Sequence, residues 1–244
     1  MVKFLKKTAI AALLCSSFAC SATTITARSW LVADGKGNIL DGVHTTEVRS
    51  IASITKLMTT MVVLDSGQSL DETIPAKLYG KEHTRQTLID LAIVKSDNNA
   101  ARLLCEYYPG GFSSCITAMN RKAHDLEMTN TKFVDATGLT VMNVSTAEEL
   151  IKLVLAASTY TKIVEASNKS TVSVLVKKSS MVFHNTNPTV GHKIFYVSKT
   201  GFINRSGGCI VMMLNTIHGI RTVVLLGSKN TKTRIPEANQ LASL

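Results

Sequence analysis

The stretch 50-SIASITKLMTTMVVLDSG-67 places one lysine in a segment otherwise composed for a protein core. Leu57, Met58, Met61, Val62, Val63 and Leu64 are the residues of a buried apolar helix. Lys56 is out of place among them, because a lysine is seldom buried without a partner. Its plain reading is an exposed amine whose stem lies along the surface. A second reading comes from spacing: positions three apart share a helix face, so the Lys56 amine and the Ser53 hydroxyl can meet. Ser53 lies where Ile51-Ala52 leads into the helix, close to unpaired backbone N–H groups and the positive end of the helix dipole. This S-x-x-K occurs once in the chain, and about one is expected by chance at this length, so it needs support from elsewhere.

Two polar triplets supply it. Ser96-Asp97-Asn98 follows the helical pattern 85-RQTLIDLAIV-94, for which Thr84 is a suitable N-cap, and precedes another helix near Ala100. Read alone, it is a cap and a turn. Lys199-Thr200-Gly201 closes the alternating strand 193-KIFYVSKTG-201 and offers a cation, a hydroxyl and a residue that lets a substrate backbone approach. A second S-x-N, Ser228-Lys229-Asn230, lies beyond the last strand and out of order.

The elements around these triplets read as strands at both ends with helices between. The segment 29-SWLVADGKGNILDG-42 is a hairpin about Gly35-Lys36-Gly37-Asn38, and 209-CIVMMLNT-216 and 220-IRTVVLLGS-228 form another across His218-Gly219. Ile116, Met119, Ala123 and Leu126 keep a helical period, and Ser145-Thr146-Ala147-Glu148 is a capping box ahead of Leu150, Ile151, Leu153 and Val154. One antiparallel sheet assembled from both chain ends, with a helical cluster packed on it, is an α+β fold. No Gly/Ser linker divides 23–244, which is read as one domain, and a tail of 18 residues follows Leu226.

The three triplets in this order match the S-x-x-K, S-D-N and K-T-G set of penicillin-binding proteins and class A β-lactamases. From Ser29 to Leu226 the chain resembles the serine D-alanyl-D-alanine peptidases. The resemblance extends through 43-VHTTEVRSIASITKLMTTMVVLD-65, 108-YPGG-111, 131-TKFVDATGL-139, 143-NVSTAEEL-150, 185-NTN-187 and 199-KTGFINRSGGCIVM-212. It is closest to the small low-molecular-mass type that acts as a D-alanyl-D-alanine endopeptidase. The segments from Lys56 to Ser96 and from Tyr160 to Phe183 look shorter than the family's, and no C-terminal β-domain follows.

The resemblance implies a β-lactamase/transpeptidase-like fold and an acyl-enzyme on Ser53. Lys56 would be the base, held near neutrality by burial and by the second cation of Lys199. Ser96 would relay a proton, and Asn98 would hold Lys56 and a substrate amide. Lys199, Thr200 and Gly201 would bind substrate, with the backbone N–H groups of Ser53 and Phe202 as the oxyanion hole. Peptidoglycan peptides are the implied substrates and β-lactam antibiotics the implied covalent inhibitors, with no cofactor. The alternatives are a D,D-carboxypeptidase, a serine β-lactamase and a catalytically inactive wall-binding relative. A β-lactamase would want an additional base in an E-x-x-x-N pattern, which the chain lacks.

Composition bounds the partners. A charged fraction of 18% is that of an ordinary globular chain, not a disordered one. Lys3, Lys6 and Lys7, the apolar run Thr8–Cys15 and small residues to Ala22 read as a secretory signal peptide over 1–22, hence a periplasmic protein. Cys20 leaves a lipoprotein reading open, and an uncleaved anchor would give peripheral membrane association. Removing those three lysines from a formal net charge of +10 leaves +7, which suits a carboxylate-rich wall. With 5% aromatics and no recognition motif, nucleic acid is not a partner. Cys105 and Cys115, flanking 107-YYPGG-111, are near enough in sequence for a disulfide, and Cys209 reads as a small buried apolar residue. Neither the cysteines nor the histidines at 44, 83, 124, 184, 192 and 218 have metal-ligand spacing. No G-x-S-x-G elbow marks a Ser-His-Asp hydrolase.

Overall fold

The computed structural model describes residues 24–176 and 179–244, and the leader read over 1–22 lies outside them. The elements in chain order begin with β1 (Ser29–Asp34), β2 (Ile39–Val43), β3 (Arg49–Ser50), a 3₁₀ turn (Ala52–Ile54) and α1 (Thr55–Asp65). Next come β4 (Thr73–Leu78), β5 (Lys81–Thr84), α2 (Arg85–Asp90), a π turn (Leu91–Lys95), α3 (Asn98–Glu106) and α4 (Gly111–Asp125). Then follow β6 (Val144–Ser145), α5 (Ala147–Ala157), α6 (Thr161–Ser167), β7 (Thr171–Val176) and β8 (Ser179–His184). The chain closes with β9 (Phe195–Ile203), β10 (Gly207–Thr216), β11 (Gly219–Ser228) and α7 (Arg234–Leu241).

The main sheet has the order β2-β1-β11-β10-β9, with every neighbouring pair antiparallel. The two chain ends meet in its middle, Ser29 opposite Leu226 and Ala33 opposite Thr222, as the sequence implied. The near-continuous apolar runs of β10 and β11 follow from burial on both faces. Val211, Met213, Val224 and Leu226 pack into the helical cluster, while Ile210, Met212, Leu214, Val223 and Leu225 pack on the other side with Ala238 and Leu241. What reads as a tail after Leu226 therefore contains a helix, α7, and that helix supplies the apolar cover the second face requires.

Four local readings change. The strand bearing Lys199 does not end at Gly201 but runs on to Ile203, and Val197 through Gly201 are buried consecutively, not alternately. The N-cap of α5 is Thr146, whose hydroxyl accepts from the Glu149 N–H; Ser145 is held in β6 opposite Arg49. The helix capped by Thr84 stays α-helical only to Asp90 and then widens into the π turn. The hairpins β4–β5 and β7–β8 have no counterpart in the sequence reading. Cys105 and Cys115 form a disulfide between α3 and α4, and Cys209 is buried with no disulfide partner among the described residues.

Candidate active site

The site begins with a backbone strain. Ala52 has φ of +46°, an unfavourable conformation for a residue with a Cβ, and this bend sets the 3₁₀ turn that carries Ser53 ahead of α1. Three neighbours over-determine it. Thr55 Oγ1 donates to Ala52 O at 2.7 Å. A Cβ at Gly138 would lie 1.9 Å from the same oxygen, so only glycine lets that loop approach. A Cβ at Gly201 would lie 2.9 Å from Ser53 N, so the third residue of Lys199-Thr200-Gly201 lets β9 lie directly against the turn.

Lys56 is 0% exposed and reaches back one helical turn to the serine. Its Nζ lies 2.8 Å from Ser53 Oγ, 2.8 Å from Asn98 Oδ1 and 2.6 Å from Thr137 O. An ammonium would donate all three bonds; a neutral amine keeps two donors and turns its lone pair to the Ser53 hydroxyl, which then donates. Burial pushes the Lys56 pKa down to about 7, against the opposing pull of the Asp135 and Asp97 carboxylates. The sequence reading gave Lys199 a share in that depression. In the structure burial supplies it, and the mutual repulsion of the two amines is expressed at Lys199, which burial, Lys56 and Arg234 together hold well below the ordinary lysine range.

Ser96 and Asn98 come from the junction of the π turn with α3. Ser96 takes φ of +61°, and Asp97 caps α3 by accepting from the Ala100 N–H at 2.9 Å. Burial raises the Asp97 pKa, but bonds from Lys95, the Tyr79 hydroxyl and the Ala100 N–H outweigh it and keep the carboxylate ionised. Lys95 also stands over the Tyr79 and Phe183 rings, tying the hairpins β4–β5 and β7–β8 to this corner. A single π turn beside a left-handed serine is the kind of distortion that re-aims side chains at functional sites.

Lys199, 1% exposed, donates to Ser96 Oγ at 2.7 Å and to Thr200 O at 2.8 Å. Thr200 Oγ1 donates to Thr186 Oγ1 at 2.7 Å, within the segment 185-NTN-187. The expected site residues thus gather in one place, as two hydrogen-bonded groups: Ser53, Lys56 and Asn98 in one, Ser96 and Lys199 in the other. Phe202 follows on β9 with its side chain 41% exposed.

Three contributors were not singled out from sequence. Thr137 offers a backbone carbonyl, which no residue type announces. Asp135 organises that loop by accepting from the Thr137 and Gly138 N–H groups at 2.6 Å each and from Thr140 at 3.1 Å. Its position inside 131-TKFVDATGL-139 was the available signal. Arg234, on α7, is 8% exposed and donates from Nη1 to Gly201 O at 2.7 Å.

A hydroxyl against a buried amine titrating near neutrality, beside an edge strand carrying a second buried lysine, is an arrangement for acyl transfer through a serine ester. The chain matches the profile of a family described as D-alanyl-D-alanine carboxypeptidase over residues 16–78 and 76–230. It is 36% identical to a D-alanyl-D-alanine endopeptidase of Pseudomonas aeruginosa, over 87% of this chain and 75% of the relative. Identity to the D-alanyl-D-alanine endopeptidase of Escherichia coli is 34%, over 91% of this chain and 80% of the relative. Penicillin-binding protein D2 of Listeria monocytogenes in its ampicillin-bound form superposes with a TM-score of 0.80 at 25% identity, covering 90% of this chain and 96% of that one. The chain belongs to the D-alanyl-D-alanine carboxypeptidase family of serine peptidases.

Proposed function

We propose that this serine peptidase is exported and cleaves D-alanyl peptide bonds of peptidoglycan, acting on cross-links as an endopeptidase. The observation that carries the chemistry is the fully buried Lys56 amine 2.8 Å from Ser53 Oγ, with its pKa near neutrality. The endopeptidase direction rests on likeness to the two relatives so named.

In the proposed reaction, neutral Lys56 takes the Ser53 proton as Oγ attacks the carbonyl of the D-alanyl residue. The tetrahedral oxyanion is met by the backbone N–H groups of Ser53 and Phe202. As the C–N bond breaks, the proton passes to the leaving amine, with Ser96 as relay. Water then cleaves the ester and returns a proton to Ser53. Lys199 and Thr200 bind the carboxylate beside the scissile bond, Gly201 gives the substrate backbone room along β9, and Asn98 holds Lys56 and a substrate amide. β-Lactams would acylate Ser53 and stay attached, since the sequence offers no second base of the β-lactamase kind. The leader over 1–22 supports a periplasmic location, and the basic charge of the remainder favours association with an acidic wall.

The test is incubation of wild type and Ser53→Ala with purified cross-linked dimers and with pentapeptides, reading product masses. Release of monomers by wild type alone supports the endopeptidase. Loss of only the terminal D-alanine makes it a carboxypeptidase, and repeated release of hydrolysed penicillin makes it a β-lactamase. No turnover and no labelling by a fluorescent penicillin would leave an inactive wall-binding relative.

A further inference from the structure

Arg234 is energetically anomalous. A buried guanidinium is ordinarily paired with a carboxylate, because taking an unpaired charge out of water is costly. Among the described residues Arg234 forms no ion pair; Nε has no partner, and its hydrogen bond is the one from Nη1 to Gly201 O. Glu237, three residues on and fully buried, makes no ion pair with it: its Oε1 accepts from the Thr26 hydroxyl at 2.5 Å and its Oε2 has no partner. Holding α7 against the sheet does not require this cation, since Ala238 and Leu241 already supply an apolar contact.

The route of the side chain is also built. α7 covers the sheet face opposite the helical cluster, and the β10–β11 register shifts between Gly208 and Ile210. A Cβ at Gly208 would lie 2.5 Å from Asn230 O and 3.3 Å from Arg234 Cβ, so glycine there lets the start of α7 close on β10. From that position the guanidinium reaches a carbonyl of β9, the strand seated against Ser53 N.

We infer that Arg234 is a positioning residue for the oxyanion hole, acting through the Gly201–Phe202 peptide unit. Gly201 O and Phe202 N belong to one planar group and point in opposite directions. A cation bound to the oxygen fixes the plane and draws electron density toward itself, which makes the N–H at the other end a stronger donor. The unpaired charge is thus directed along the peptide dipole toward the place where negative charge develops, which gives a cost to stability a return in rate. The inference rests on the proposed function, in which Phe202 N–H meets the oxyanion.

The test uses the full chain and benzylpenicillin carrying ¹³C at the β-lactam carbonyl. Acylation of Ser53 is followed by mass spectrometry, and the ester carbonyl band of the acyl-enzyme by infrared difference spectroscopy. Arg234→Met is expected to slow acylation at saturating penicillin roughly ten- to a hundredfold, less than loss of an entire oxyanion donor. Its ester band moves to higher frequency, while Arg234→Lys recovers most of both. A variant that melts lower but acylates at the wild-type rate, with an unmoved band, overturns the inference and leaves Arg234 as a latch for α7. Where Arg234→Met does not fold, Arg234→Lys is compared with Arg234→Gln; equal rates and bands in those two overturn it. Failure of wild type itself to gain the penicillin mass, as Ser53→Ala would also fail, refutes the proposed function and this inference with it.

Discussion

Acylation of Ser53 is expected to switch on across neutral pH, because in the proposed reaction the competent form of Lys56 is the neutral amine. With a pKa lowered from 10.5 to about 7, the neutral fraction is about 1% at pH 5, about half at pH 7 and about 90% at pH 8. The rate constant for labelling by a fluorescent penicillin, measured at saturating reagent from pH 5 to 9, should climb about tenfold per unit below pH 7 and level off above it. The lowering from 10.5 to about 7 corresponds to about 5 kcal/mol between the two protonation states, and its sign sets a second observable. Between about pH 7 and 10.5 the unfolded chain binds a proton at Lys56 that the folded chain does not. The Lys56 contribution therefore makes stability rise with pH across that window. Lys56→Arg supplies the control, since a guanidinium keeps the charge and the donors but cannot give up a proton. It should label at no pH while unfolding cooperatively in urea. A wild-type profile that is flat from pH 5 to 8, or that rises only near pH 10, would refute the argument from burial.

Other expectations follow from single contacts. Gly138→Ala forces a Cβ to 1.9 Å from Ala52 O at φ of +79°; a loss of roughly 2–4 kcal/mol in urea unfolding is expected, with labelling of Ser53 abolished. Reducing the Cys105–Cys115 bridge, which separates its partners by 10 residues, should lower stability by about 2.5–3 kcal/mol. Labelling of the folded fraction should persist, since the bridge joins α3 to α4 away from the serine. Tyr79→Phe removes one donor from the Asp97 carboxylate; a loss of about 1–2 kcal/mol is expected, and a change below about 0.3 kcal/mol would show that Lys95 and the Ala100 N–H hold that carboxylate without it.

How far the sequence could be read depended on whether a side chain or a backbone atom does the work. Ser53, Lys56, Ser96, Asn98 and Lys199 were legible as a cluster because each is a residue type at fixed spacing, and the structure brings them together. Thr137 was not, because the atom that receives the Lys56 hydrogen bond is a carbonyl that any residue carries. The Gly138 requirement appears only when the loop is seen resting on Ala52. The capping register of α5 was ambiguous by construction: Ser145 and Thr146 are followed by Glu148 and Glu149, so both pairings satisfy the pattern. Pairing of Ser145 with Arg49 removes one of them. That both chain ends contribute strands to one sheet was readable from their apolar runs; the order in which those strands pair was not. The second hairpin, β7–β8, left a trace in the alternation of 171-TVSVLV-176, where Val172 and Val174 turn inward. Arg234 left none, since 234-RIPEANQL-241 is an ordinary surface-helix sequence whose one arginine happens to face inward.

The pairing of β1 with β11 has a consequence for the order of events in the life of the chain. Partners such as Ser29 and Leu226 are nearly two hundred residues apart, so this closure is entropically late and has to await β11. Ser53 and Lys56 precede in the chain, by well over a hundred residues, both β9, the strand that faces them, and Arg234 behind it. Until β9 to β11 are in place, the Ser53–Lys56 pair of the proposed site would therefore lack the surface against which a substrate would be held.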